Sequence, residues 1–349
     1  MKKLVVLFLV LSLGTFAAEA FAVSEAGVLF LLISPSARVA GMGEAFVAIA
    51  DDASAVYWNP AGLAFQTGRE ITAMHTNWLP QFGSDLYYEF LAYRQHFEGI
   101  GVIGANVTYL NLGEQTRTDE TGAELGKFDS HEFAITAAYG TKISENMALG
   151  ISLRYIRSSL SDIGAGSEKG DGKANAFSVD IGWLYRAGFV RGLSFGANLS
   201  NLGTKITYID AAQADPLPTN LRLGVAYRAV DSEFNRLTFA LDVNKLLVVR
   251  HKDGSSDPFY KALATAWTDQ GVNEELKEVI IGIGAEYWYS NLIALRTGYH
   301  FDEVGKANYA TFGFGIKYSL YRFDFAYVAT GDEGHPLSGT SRFALTITF

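Results

Sequence analysis

Alternation of side chains with a period of two, sustained over unusually long segments, most narrows what this 349-residue chain can fold into. In "SRFALTITF", Phe343, Leu345, Ile347 and Phe349 share one face, and Arg342, Ala344, Thr346 and Thr348 share the other. "YRFDFAYVA" sets Tyr321, Phe323, Phe325 and Tyr327 against Arg322, Asp324 and Ala326. "AFSVDIGWLYR" sets Phe177, Val179, Ile181, Trp183 and Tyr185 against Ser178, Asp180 and Gly182. "RLTFALDVN" divides Leu237, Phe239, Leu241 and Val243 from Thr238, Ala240, Asp242 and Asn244. Successive side chains of a strand point to opposite faces, so each segment is a strand with one greasy, aromatic face and one small, polar or charged face.

A soluble sandwich would bury the greasy face, whereas a membrane barrel turns it to lipid and lines its lumen with the polar one. Three features favour the barrel. Several segments reach the ~9–11 residues of a tilted membrane strand, beyond the ~5–6 usual in soluble sheets. Fourteen candidates occur, near 71–79, 85–96, 100–112, 128–142, 147–158, 174–187, 192–201, 219–228, 236–249, 279–289, 292–301, 308–318, 321–330 and 341–349. That number is even, as single-chain bacterial outer-membrane barrels have. Connections also alternate in length. Tight turns fall at Glu98-Gly99, 144–146, 188–191, Ser290-Asn291 and Ser319-Leu320, and longer polar loops at 113–127, 159–173, 202–218, 250–278 and 331–340. Aromatics gather near strand ends, as at Tyr287, Trp288 and Tyr289, where an interfacial girdle would lie.

Only 19% of residues are charged and 13% are aromatic, which suits such a wall. A net charge of −9 without a basic patch argues against nucleic acid as a partner. The chain has no Cys, which excludes disulfides, thiolate zinc sites, a cysteine nucleophile and a lipid-modified N-terminal Cys. The six histidines, at 75, 96, 131, 251, 300 and 335, show no metal-ligand spacing, and neither G-x-S-x-G nor a P-loop occurs. No catalysis, metal or cofactor is expected.

The chain starts like an export signal: Lys2 and Lys3, an apolar core at 4–13, and Ala20-Phe21-Ala22 as an A-x-A-like cleavage site. That core is too short to span a bilayer as a helix, which takes roughly 20 residues. The expected organisation is a signal peptide at 1–22, a hatch at 23–70 and an all-β, fourteen-stranded antiparallel transmembrane barrel at 71–349 in the bacterial outer membrane. The hatch expectation rests on "SARVAGMGEAFVAIADDASAVYWNPAGLA" at 36–64, rich in small residues and suited to plugging a wide lumen. Asp51-Asp52-Ala53-Ser54 reads as a helix start, and capping explains the adjacent carboxylates better than acid–base work does. Pro60 and Gly62 mark a sharp turn.

The same stretch closely resembles the hatch of the PorV/PorQ family, within the wider group of long-chain fatty-acid transporter-like barrels. Asn59-Pro60-Ala61 matches the hatch motif of that group. Further likenesses are "GIGVIGANVTYLNLG" at 99–113 and "EELKEVIIGIGAEYWYSNLIALRTGYHF" at 274–301, nearer to PorV than to PorQ. The resemblance implies a fourteen-stranded barrel with a hatch in its lumen. For PorV-like members it also implies a role in type IX secretion. Such a barrel docks at the side opening of a large outer-membrane translocon and receives cargo with a C-terminal β-domain. It then carries that cargo to an attachment complex containing a sortase-like protein. The wider group implies another role, passive transport of hydrophobic small molecules such as long-chain fatty acids. A strand kinked near Gly101 or Gly104 would mark the side opening that this needs.

Three sets of residues stand out as candidate sites. Asn59, Pro60, Ala61 and Gly62 either gate the lumen or form a fixed turn that packs the plug. Arg154, Asp180, Arg222, Asp242, Glu286, Arg296, Arg322 and Asp324 face the lumen, either as a ligand path or as charges paired with each other and the hatch. In the 257–279 loop, Phe259, Leu263 and Trp267 are four apart, on one face of a short helix. That face either docks a partner through its aromatics or folds onto the barrel mouth as a lid.

Overall fold

The computed structural model describes residues 26–82, 85–119, 121–161, 172–208, 213–251, 253–331 and 334–349. The expected signal peptide, 1–22, and the first residues of the expected hatch lie outside the described residues, as do parts of the expected 159–173 and 202–218 loops.

Fourteen strands form the wall: β1 (Arg69–Asn77), β2 (Tyr87–Phe97), β3 (Gly101–Thr118), β4 (Glu124–Lys142), β5 (Met147–Ser159), β6 (Lys173–Arg186), β7 (Leu193–Gly203), β8 (Asn220–Asp231), β9 (Asn235–Leu246), β10 (Ile280–Tyr289), β11 (Ile293–Phe301), β12 (Tyr309–Tyr318), β13 (Tyr321–Thr330) and β14 (Ser341–Thr348). Each pairs antiparallel with its chain neighbours, and β1 closes on β14 through Glu70↔Thr348 to Thr76↔Arg342. Closure leaves no free sheet edge. The faces divide as a membrane barrel requires. Leu153, Phe177, Leu295 and Phe312 are more than half exposed on the outside, while Asp180 and Asp242 are fully buried inside.

Two expectations need correction. The 113–127 segment is not a long loop. β3 and β4 continue as a ribbon out to Thr118 and Glu124, with irregular register between Asn111 and Glu114 and between Arg117 and Thr118. Its residues, among them Glu114, Gln115, Lys127 and Asp129, keep no apolar face, so they read as loop although they pair as strands. Trp288 is not part of an outer girdle. It sits one residue out of phase with Tyr287 and Tyr289, so its ring points inward and is buried while Tyr289 stays outside. Smaller shifts place β1 two residues earlier than expected and end β9 at Leu246, because 247–249 leave the wall.

The segment ahead of β1 fills the lumen. It holds a 3-10 turn (Leu29–Leu32), α1 (Ala37–Ala40), α2 (Ala55–Trp58) and a second 3-10 turn (Pro60–Phe65). The Ser36 hydroxyl accepts from the Val39 N–H at 3.4 Å and caps α1. Val39, Met42, Phe46, Trp58 and Leu63 are completely buried, so the hydrophobic core of this protein lies inside the barrel. Small residues in the wall let the hatch backbone approach. A Cβ on Gly298 would overlap the Gly43 nitrogen, and one on Gly150 would overlap Pro60 and Ala61. Such contacts are open only to a residue without a side chain.

Beyond β9 the connection folds into α3 (Phe259–Thr265) and α4 (Val272–Lys277). Leu247 and Val249 pack there with Ala266, Leu263, Leu199 and Leu221. Among the described residues no helix is long and apolar enough to cross a membrane.

Candidate functional site

Position along a strand fixes which wall side chains meet the hatch. Glu286 on β10 pairs across the ladder with Arg296 on β11, and Asp324 and Arg322 lie two apart on β13, on the same face. From the hatch, α1 projects Arg38 and the entry to α2 projects Asp52. Together these six side chains close a ring of alternating charge. Arg38 donates to both Glu286 oxygens, at 2.8 and 2.7 Å. Glu286 accepts from Arg296 Nε at 2.7 Å, and Arg296 Nη1 donates to Asp324 at 2.8 Å. Asp324 accepts from Arg322 Nε at 2.7 Å, and Arg322 reaches back to Asp52 at 3.1 Å. Arg38 completes the circuit with Asp52 at 3.0 Å and also donates to Asp51 at 2.6 Å. Three guanidinium groups and three carboxylates sum to zero. That neutrality matters because an unpaired charge in such a setting costs several kcal/mol.

The ring's four wall charges, Glu286, Arg296, Arg322 and Asp324, were all expected to face the lumen, either as a ligand path or as charges paired with each other and the hatch. Arg38 and Asp52 were not expected to join them. Asp52 does not cap α2, whose N-cap is Ser54 without a side-chain bond; one Asp52 oxygen instead braces the turn before it, accepting from the Ser54 N–H at 3.0 Å and its hydroxyl at 2.5 Å. Its other oxygen belongs to the ring. Nothing near Arg38 in the sequence points to a partner 248 residues away.

The remaining lumen charges do not continue the ring into a path. Arg154 is bound to Asp180 at 2.7 Å, to Thr136 at 3.1 Å and to Asn201, all within the wall. Arg222 lies over the Trp58 ring, 4.5 Å from its centroid, and near Tyr57. Asp242 accepts from the backbone N–H groups of Phe46 and Val47, at 2.7 and 2.8 Å. Each of these residues holds the wall or the hatch in place.

Asn59 is fully buried and makes three bonds. Its Nδ2 donates to the Val47 carbonyl at 2.8 Å and to the Trp183 carbonyl on β6 at 3.0 Å, and its Oδ1 accepts from the Ala61 N–H at 3.1 Å. The side chain therefore pins the Pro60-Ala61-Gly62 turn to the hatch and to the wall at once. Gly62 stands so close to the Ala50 carbonyl that a Cβ would overlap it. At Gly101 and Gly104 the wall is continuous, with Phe97↔Gly101, Arg94↔Gly104 and Gly104↔Ala138 in register. Gly104 instead makes room for Val56 of the hatch.

The structure divides the expected Phe259, Leu263 and Trp267 stripe. Phe259 and Leu263 are half-buried, with Leu263 in the apolar cluster at the barrel mouth. Trp267 lies past the end of α3 and is exposed. Its Nε1 donates to the Leu263 carbonyl at 3.0 Å, and its ring is 5.9 Å from Lys245 Nζ. Lys245 holds α4 to the wall through Glu275 and Glu278, each at 2.7 Å. Asp257 anchors the start of α3 by accepting from Lys261 at 2.8 Å and from Thr265 at 2.9 Å, with His251 at 2.9 Å. These bonds, that from Lys261 first, hold its carboxyl down at about 2. The strapped loop leaves Tyr260, Trp267, Val272 and Leu276 exposed.

Comparison with known proteins agrees with this architecture. The family model described as Type IX secretion system protein PorV matches residues 16–253, most of the chain, ending ahead of α3. No curated protein matches the chain. Among solved structures, the Pseudomonas putida toluene transporter TodX is 14% identical with a TM-score of 0.53, over 88% of this chain and 95% of that one. The Ralstonia pickettii toluene transporter TbuX is also 14% identical, with a TM-score of 0.51 over 88% and 97%. A Pseudomonas aeruginosa FadL homologue is 11% identical, with a TM-score of 0.50 over 90% and 98%. At these identities the likeness is one of fold.

Proposed function

The chain belongs to the PorV family of type IX secretion system proteins, and on that premise we propose that this outer-membrane barrel is a non-enzymatic secretion adaptor. It receives the C-terminal β-domain of secreted cargo from a large outer-membrane translocon and delivers it to a sortase-like attachment protein. The observation that carries the reading is the lumen. It is occupied by a hatch whose Arg38 and Asp52 bind Glu286 and Arg322 of the wall, which leaves the outer surfaces for recognition. On the same reading, residues 23–70 act as a permanent plug after a signal peptide at 1–22 is removed, and Asn59, Pro60, Ala61 and Gly62 fix its turn rather than open it.

Docking falls to the α3–α4 loop. Tyr260, Trp267, Val272 and Leu276 present apolar surface there, and exposed aromatics are common anchors at interfaces. Leu263 supports that surface from beneath, and Phe259 packs edge-on against the Tyr260 ring.

Affinity purification of the tagged protein from native outer membranes, followed by mass spectrometry, tests the proposal. Recovery of a very large barrel, a sortase-like protein and cargo sharing a C-terminal β-domain is expected. Changing Tyr260, Trp267 and Leu276 together to Ser should reduce that recovery while leaving the barrel intact. Recovery of the protein alone, with a bound fatty acid or other hydrophobic molecule, would overturn the adaptor reading in favour of passive transport.

A further inference from the structure

At the short-turn end, between the ring and solvent, lies a cavity of about 390 Å³. It is within the usual size range of small-ligand sites, roughly 300–1,000 Å³. Five cations line it, Arg38, Arg94, Arg236, Lys317 and Arg322, against two carboxylates, Asp51 and Glu70. The carboxylates are already engaged. Asp51 is bound to Arg38, and Glu70 accepts from the Ala53 N–H at 2.7 Å, from Thr348 at 3.1 Å and from Arg94 at 3.4 Å. Arg322 is committed to Asp52 and Asp324.

Among the described residues Arg236 and Lys317 form no salt bridge, and the carboxylates of Asp51 and Glu286 reach Arg236 only at longer range. Lys317 stands directly across the β12–β13 ladder from Arg322, a like charge. Arg236 stands across from Trp288 and over its ring, 5.7 Å from the centroid, with a long contact of 3.4 Å to Asn291. Two further donors, on residues that line the cavity, are buried without an acceptor: Trp288 Nε1 and Arg94 Nε, on side chains 4% and 5% exposed. Buried donors normally find partners, and cations gathered without counter-charge repel one another. One occupant meets both needs, an anion with several acceptor oxygens.

We propose that this cavity binds a small anion bearing a carboxylate or phosphate group. Arg236 and Lys317 supply the neutralising charge, Trp288 Nε1 supplies a directed donor, and the ring beneath closes the floor through Arg38 and Arg322. Short turns face the periplasm in barrels of this kind, so the anion comes from that side. Binding here does not depend on the adaptor reading, whose docking loop lies at the opposite end of the barrel.

The test is calorimetric titration of the detergent-solubilised full chain with succinate and, separately, with inorganic phosphate. Saturable binding of at least one probe is expected, weakening as sodium chloride rises from roughly 50 to 500 mM. Tighter succinate binding identifies a carboxylate ligand, and tighter phosphate binding a phosphate ligand. The Arg236→Gln/Lys317→Gln double variant should lose affinity at least about tenfold, since two charge-assisted contacts go. Trp288→Phe, which keeps the ring and removes the donor, should lose less. Resistance of each folded barrel to SDS without heating establishes that the variants are assembled, and a variant that fails there is replaced by the single Lys317→Gln. Absence of saturable binding by both probes, or an assembled double variant that binds like the parent, overturns the proposal.

Discussion

Replacing Arg38 with Met tests whether the ring holds the hatch. The stem of the side chain is kept, so packing beside Phe46 changes little, while four charged contacts disappear: two to Glu286 and one each to Asp51 and Asp52. Neither main partner is orphaned, because Glu286 keeps Arg296 and Asp52 keeps Arg322. The ring nevertheless passes from neutral to a net charge of −1. Breaking a buried pair costs about 3–5 kcal/mol, and the surviving partners place this case near ~3 kcal/mol. At about 1.4 kcal/mol per tenfold, the undocked population of the hatch rises on the order of a hundredfold. Hydrogen exchange read by mass spectrometry should then show residues 37–66 losing protection by that factor, while β5–β8 amides are unchanged. Adding Glu286→Gln restores neutrality, since Arg296 still has Asp324. The double variant should therefore be better protected than the sum of the singles predicts, by about 2 kcal/mol. Unchanged protection in Arg38→Met, or strictly additive singles, would refute the reasoning.

Other perturbations probe separate contacts. Asp242→Ala strips the acceptor from two buried N–H groups and should destabilise the docked hatch by roughly 2–4 kcal/mol, seen as faster exchange at Phe46 and Val47. Gly298→Ala drives a Cβ into the Gly43 backbone and should lower barrel yield or thermal stability, whereas Gly331→Ala, with open space around it, should not. The lowered carboxyl of Asp257, about 2 against an ordinary 3.8, contributes stability to the α3 loop above pH 4 that is lost as pH falls through about 2. Limited proteolysis across that range should show the loop becoming susceptible only at the acid end, and Asp257→Asn should make it susceptible already at pH 7.

What could be read from the sequence followed the range of the forces involved. Alternation is a local property, so the inward and outward faces of β6, β13 and β14 were legible, and with them the closed wall. The β3–β4 ribbon was not, because its outer part makes strand pairing through the backbone alone and leaves no apolar rhythm behind. Trp288 was misplaced because an aromatic near a strand end serves an interface or an inner cation equally well, and here Arg236 and Arg296 claim it. Charges at Glu286, Arg296, Arg322 and Asp324 were visible as a set, since strand phase alone puts them inside. Their organisation was not, because it depends on Arg38, which lies 248 residues from Glu286 in the chain and meets it only in the folded barrel. In the α3 loop the four-residue spacing gave the right helix, but Leu247 and Val249 decided which side packs down, and Ala262 and Ala266 fit there while Trp267 does not.

The closure of β1 on β14 bears on the order in which this molecule is assembled. The plug precedes β1 in the chain, yet the side chains that clasp it belong to β10, β11 and β13, among the last to be synthesised. Arg38 consequently has no Glu286 to meet until the later strands arrive. Locking the plug through the ring therefore waits on completion of the wall. A chain whose plug is misplaced cannot complete this clasp, so the clasp ties the position of the first-made segment to the correct placing of the last-made strands.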